Sequence, residues 1–296
     1  MKIAAWVRPE ETFYEKSVIP NELEKMRKAG ISNLYLLARH RDKRVYYGPH
    51  STVGYDVLKE VNKLIPEYGI EAEVWMAIFV GHDPSDTRLN VRNIDGALWS
   101  VTLQAMQIRI NEIQVSCQEY NNFCGYHVDY ARSPEKGKHH FGTEENLTYI
   151  VNTAVSEARR VTSAAGKKLS TAVYVDEEGG YGTEYEKRRI NQDWNAWLNM
   201  GFLDKIVPMI YTSDKASLEK RAARANKIVA GRAELSIGIG VNSDRLYRVE
   251  HRMLSLEEFK EQLDILNESG IQGVSVLSWF GIDKPEFLRL VKQYSG

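Results

Sequence analysis

Short apolar runs alternate with longer stretches whose apolar positions recur every three or four residues, from one end of the chain to the other. Side chains alternate faces along a strand and repeat every 3.6 residues along a helix, so the short runs read as buried strands and the long stretches as amphipathic helices. Eight strands are predicted: Lys2–Val7, Asn33–Ala38, Glu71–Phe79, Phe123–Asp129, Lys168–Val175, Lys205–Tyr211, Glu234–Gly240 and Gly273–Trp279. Helical periodicity is clear where Leu23, Met26 and Ile31 are separated by Glu24, Lys25 and Arg27. Thr143, followed by Glu144, Glu145 and the apolar Leu147, Ile150 and Val151, predicts a capped helix start after the fourth strand. Gly30, Gly69, Gly166, Gly201 and Gly270 each stand just before a strand, where a left-handed residue would end the preceding helix.

Strand–helix alternation without a Pro/Gly/Ser-rich linker predicts an α/β fold, a single (β/α)8 TIM barrel spanning residues 1–296 as one domain. The alternative is a doubly wound sheet, which wants a glycine-rich phosphate turn after an early strand. The first turn here is Arg8-Pro9-Glu10-Glu11 and has none. The longest excursions are Val80–Asn122, Ala131–Lys167 and Asp176–Asp204, so the third, fourth and fifth units are expected to build most of the rim.

The 296 residues are 43% hydrophobic and 27% charged, with a formal net charge of −1. That composition suits a large buried core and gives no electrostatic case for a nucleic-acid or membrane partner. Two cysteines, Cys117 and Cys124, lack the number for a disulfide scaffold and the spacing of a metal site. Met1-Lys2 leads straight into a strand, so the expectation is a cytoplasmic protein, or a secreted one if a leader has been removed. Oligomeric state leaves no mark on the sequence.

Candidate chemistry centres on Phe123-Cys-Gly-Tyr-His-Val-Asp-Tyr-Ala-Arg-Ser-Pro134, an apolar strand that ends in Asp129 and is followed by Tyr130 and Arg132. An unpaired carboxylate beside a core is costly, and in a parallel barrel that strand end opens into the active-site mouth. His127 shares the face of Asp129, one layer deeper. Strand five ends in Asp176, Glu177 and Glu178, from which a second carboxylate is expected. Alternation with Ser170, Ala172 and Tyr174 turns Asp176 toward the lumen, so it ranks first, ahead of Glu178 and Glu177. Neighbouring parallel strands stand about 4.8 Å apart, and two carboxylates reaching from them span the roughly 5–9 Å that glycoside hydrolysis uses. Tyr211, Asn242 and Trp279 at later strand ends, with Trp6, Arg8 and Trp75, extend an expected carbohydrate-binding lining. His127 and Asp129 form an H-x-D and His139-His140 are adjacent, yet the first strand lacks the paired histidines of barrel metallohydrolases. No metal and no cofactor is expected.

The segment Gly125-Tyr-His-Val-Asp129-Tyr-Ala-Arg132-Ser-Pro134 resembles the glycosyl-hydrolase-like barrel families whose fourth strand carries a G-x-H-x-D-Y-x-R-x-P signature. Trp197 through Tyr211 looks like their W-x(3)-G-x-x-D-x-I-x-P-M-x-Y block, and Ser170–Tyr174 resembles their fifth strand. The likeness covers roughly residues 120–215 at motif level. It implies a retaining or inverting hydrolase of polysaccharide, with Asp129 as the fourth-strand carboxylate.

The expected function is therefore hydrolysis of an oligo- or polysaccharide. Asp129 would serve as nucleophile or base, an acid of the 176–178 cluster as proton donor, and Arg132 as the cation keeping Asp129 ionised. Two alternatives stand: a catalytically silent barrel that binds carbohydrate, and a metal-dependent barrel hydrolase using His127 and Asp129.

Overall fold

The computed structural model describes residues 1–135, 141–175, 189–241 and 253–295. Ten strands lie among these: β1 (Lys2–Val7), β2 (Ile31–Arg39), β3 (Glu71–Ala77), β4 (Arg92–Ile94), β5 (Ala97–Trp99), β6 (Gly125–Asp129), β7 (Lys168–Tyr174), β8 (Lys205–Met209), β9 (Glu234–Gly240) and β10 (Gly273–Leu277). All but β4 and β5 close into a parallel barrel in the order β1-β10-β9-β8-β7-β6-β3-β2. The fold is a (β/α)8 TIM barrel.

The α-helices among the described residues are α1 (Pro9–Thr12), α2 (Ile19–Ala29), α3 (Val57–Tyr68), α4 (Leu103–Glu119), α5 (Glu144–Ala164), α6 (Trp194–Asn199), α7 (Lys215–Val229), α8 (Leu256–Glu268), α9 (Trp279–Ile282) and α10 (Pro285–Tyr294). Side-chain oxygens satisfy the exposed first-turn N–H groups of several. Thr143 accepts from Asn146 N at the start of α5, as the acidic run after it predicts, and Ser255 and Glu258 form a reciprocal capping box on α8. The five glycines predicted to end helices all take positive φ, between 63° and 81°.

Two departures from the predicted elements matter for the site. First, β10 stops at Leu277, so Trp279 opens α9 instead of closing a strand. Second, the excursion after β3 holds the hairpin β4–β5, turning on Asp95 (φ 51°) and Gly96 (φ 77°). Positive φ at both central residues is the type I′ geometry, and Asp-Gly is the sequence that favours it.

Inside the barrel, side chains from adjacent and non-adjacent strands meet. The Trp6 ring on β1 lies 5.3 Å from Tyr35 on β2, 5.6 Å from His127 on β6 and 6.4 Å from Trp75 on β3. Below them a polar layer fills the lumen. Glu73 accepts from Lys205 Nζ (2.7 Å), from Asn33 Nδ2 (2.7 Å) and from Ser170 Oγ, which also meets His127 Nδ1 at 2.8 Å. A buried carboxylate this well supplied with donors avoids the full cost of desolvation. At the strand N-termini the barrel opens into a separate cavity of about 260 Å³ lined by Lys2, Asn33, Tyr35, Lys205, Glu234 and Ser236 among others.

Candidate active site

Asp129 closes β6 at the C-terminal mouth, in register with Ala77 of β3. Each of its oxygens has a donor. Oδ1 accepts from the backbone N–H of Tyr130 at 2.6 Å, and Oδ2 from Nε1 of Trp75 at 3.1 Å. The first contact depends on Tyr130 taking φ 50°, which turns the chain sharply out of the strand and brings its own N–H back to the preceding carboxylate. Burial raises the Asp129 carboxyl above the ordinary aspartate value. The Tyr130 N–H, the Arg132 cation, the Trp75 N–H and the Arg8 cation all pull the other way. Desolvation prevails, so Arg132 favours the ionised form without dominating.

Three aromatic rings enclose the Arg132 guanidinium: its Cζ lies 5.0 Å from the Trp99 ring, 5.2 Å from Tyr130 and 4.9 Å from Tyr174. Nη1 donates to the Ser133 carbonyl at 3.1 Å, and Nη2 reaches the Tyr174 hydroxyl at 3.5 Å. Those rings come from β5, from the end of β6 and from the end of β7. Such contacts contribute about 0.5–2 kcal/mol depending on desolvation, and here they hold the cation in one place.

Tyr211 follows β8 at the same mouth. Its phenol is held well above the usual tyrosine range, by burial first and then by the charges of Asp129, Tyr174 and Tyr130, with Arg8 opposing. Arg8 itself follows β1 and pairs with Glu11 at 3.1 Å, and Glu11 also accepts from Ser278 Oγ at 3.4 Å. The mouth thus brings together Asp129, Tyr130, Arg132, Tyr174, Tyr211, Arg8 and Trp75.

Several residues expected to touch a sugar lie elsewhere. Trp279 is 1% exposed and its Nε1 donates to Glu22 of α2 at 3.0 Å, which turns the indole into the helix layer; its expected stacking role is withdrawn. Trp6 is also 1% exposed, walled in by Tyr35, His127 and Trp75, and so forms the floor beneath the mouth instead of a sugar-facing surface. His127 is sealed from solvent, 4.1 Å from the Tyr35 ring, and burial pushes its imidazole down to about 3. It supports the lumen and does not line the cleft. Asp176, Glu177, Glu178 and Asn242 lie outside the described residues.

Trp99 and Tyr174 were missed as site residues. The Asp95-Gly96 turn between Asn93-Ile94 and Ala97-Leu98-Trp99 signals the hairpin that delivers Trp99. Tyr174 shares the inward face of Ser170 and Ala172, two positions before the acidic run that begins at Asp176. Among the described residues no group of three His, Cys, Asp or Glu side chains is placed to hold a metal ion, and no helix is long and apolar enough to cross a membrane.

No protein-family model matches the chain, and no curated protein matches it. Solved structures do. The PgaB (BpsB) glycoside hydrolase domain from Bordetella bronchiseptica is similar with a TM-score of 0.74 at 12% identity, covering 98% of each chain. The Ostrinia furnacalis Group IV chitinase gives 0.62 at 12% identity, covering 99% of each chain. Alpha-L-fucosidase isoenzyme 2 from Paenibacillus thiaminolyticus gives 0.66 at 11% identity, covering 99% of this chain and 49% of the other. At such identities, and across differently named enzymes, the likeness establishes the barrel fold that the strand order already displays.

Proposed function

We propose that this protein is a glycoside hydrolase, a one-domain barrel acting on an oligo- or polysaccharide with Asp129 as its essential carboxylate. The observation that supports this most is the cradle at the end of β6. A half-buried carboxylate is oriented by two N–H donors, flanked by a caged guanidinium and a tyrosine, and set at the barrel end where TIM-barrel active sites lie. The similar solved structures, which include a glycoside hydrolase domain, a chitinase and a fucosidase, agree with a carbohydrate substrate.

Burial raises the Asp129 carboxyl, the direction a general acid requires, so the proton donor's role is proposed for it in place of nucleophile or base. In this reading Asp129 protonates the leaving-group oxygen, and a carboxylate of the cluster Asp176, Glu177 and Glu178 activates water or attacks the anomeric carbon. Arg132 and Tyr211 position Asp129. No cofactor enters the scheme.

The test is a panel of α- and β-linked glycans offered to the native protein and to Asp129→Asn. Turnover that depends on Asp129 supports the reading. Binding without any turnover would leave a carbohydrate-binding barrel in its place.

A further inference from the structure

We infer that Gly238 is a positioning residue for Asp129, acting across the barrel lumen through Trp6 and Trp75. Gly238 lies in β9 and Asp129 at the end of β6, with β8 and β7 between them around the barrel. A Cβ built on Gly238 would stand 3.0 Å from Cη2 of Trp6, with the Pro208 carbonyl oxygen at 3.3 Å and the Met209 Cα at 3.4 Å. Gly238 is not among the residues with positive φ, so space and not backbone conformation accounts for a glycine here. Its bare Cα is what leaves room for the far edge of the Trp6 indole.

Trp6 has nowhere to retreat. It is 1% exposed and packed against Tyr35 at 5.3 Å and His127 at 5.6 Å. Among the described residues its third aromatic neighbour is Trp75, edge-on at 6.4 Å and 60°, and Trp75 Nε1 holds Oδ2 of Asp129 at 3.1 Å. Close-packed interiors transmit small displacements instead of absorbing them. A methyl group on Gly238 therefore drives Trp6 a few tenths of an ångström into its neighbours and turns the Trp75 N–H off the carboxylate. A glycine that served packing alone would alter stability and leave that hydrogen bond untouched.

The test reads the bond directly. Of the six tryptophans, the Trp75 indole N–H resonance is assigned by its loss in Trp75→Phe. It should move as Asp129 titrates and stop doing so in Asp129→Asn. Gly238→Ala should shift this resonance upfield and weaken its response to pH, whereas adding Gly238→Ala to Trp6→Phe should change neither any further, because the ring that the new methyl would meet is gone. On a glycan that the native protein cleaves, Gly238→Ala should lower kcat several-fold with KM within about twofold, a displacement of a few tenths of an ångström costing less than the roughly 100-fold of a full 1 Å misplacement. This kinetic arm rests on the hydrolase reading and the spectroscopic arm does not, so a protein that cleaves nothing would sink the first and leave the second to decide. If Gly238→Ala fails to fold, Trp6→Phe alone should move the Trp75 resonance, since it removes the element between the two. An unchanged Trp75 indole resonance and titration in folded Gly238→Ala, or in Trp6→Phe, overturns the inference.

Discussion

The Lys205 ammonium and the Glu73 carboxylate meet at 2.7 Å inside the barrel, with side chains only 8% and 1% exposed. Burial alone would neutralise either group. Against it, the Tyr35 and Glu73 fields and the Glu73 hydrogen bond hold Lys205 above the usual lysine value. Glu73, desolvated in the same way, is kept below the usual glutamate range by the Lys205 charge and by the hydrogen bonds from Lys205 and Ser170. A raised lysine contributes below its unfolded pKa and a lowered glutamate above its own. The pair is therefore at full strength at neutral pH and weakens as pH falls through and below the ordinary glutamate range.

Removing one partner leaves an uncompensated buried charge, so Lys205→Met should destabilise the fold by about 3–5 kcal/mol. The double variant Lys205→Met/Glu73→Leu should recover much of that loss. Urea unfolding of the three proteins checks this. Lys205→Met and the double variant coming out equally unstable would mean that volume, not charge, dominates the site.

Asp129→Asn keeps the shape of the side chain and removes its proton. Turnover of natural glycans should drop about 10²- to 10⁴-fold, the usual contribution of general acid–base catalysis. A nitrophenyl glycoside needs no protonation of its leaving group, and on it the variant should keep a much larger share of native rate. Equal loss on both substrates would return Asp129 to the nucleophile's role.

The same substitution carries a stability signature. Because folding raises the Asp129 carboxyl, the native state becomes relatively less stable as pH climbs from the ordinary aspartate value through the folded one. Asp129→Asn does not titrate there. Its melting temperature should exceed that of the native protein at neutral pH, and the gap should close in acid. A variant less stable than native at neutral pH would show that the Trp75 and Tyr130 donors matter more to the fold than the desolvation does.

On the proposed reading Arg132 and Tyr211 position Asp129 and do not react, so Arg132→Ala and Tyr211→Phe should each cost less than Asp129→Asn in kcat/KM. Arg132→Lys should fare nearly as badly as the alanine, because a point-like ammonium cannot fill a planar box of three rings. Full activity in Arg132→Lys would reduce the box to packing.

The barrel was legible because hydrophobic period and helix-ending glycines agree along the whole chain, and the strand that ends in Asp129 announced itself by placing an acid after an apolar run. Aromatic roles were not legible. Trp6 and Trp279 look alike in sequence as tryptophans near strand ends, yet one faces the lumen floor and the other hydrogen-bonds Glu22 on α2. The difference follows from β10 ending two residues before Trp279, a strand end that neither alternation nor composition marks. The Arg132 box draws on residues far apart in sequence, and such convergence has no local signature. Trp75 read as a sugar platform, because a hydrogen bond between neighbouring strands depends on register that sequence alone does not set.

The same box has a consequence for anyone recasting this barrel. TIM-barrel loops are commonly treated as interchangeable modules, each following its own strand. Here the excursion after β3 supplies Trp99, the β6 end supplies Tyr130, and the β7 end supplies Tyr174, all around one guanidinium. Transplanting residues 78–102 from a different barrel would strip a wall from a cation that belongs to another unit. These three units form a single inheritable block, and grafting or recombination would have to cut outside it.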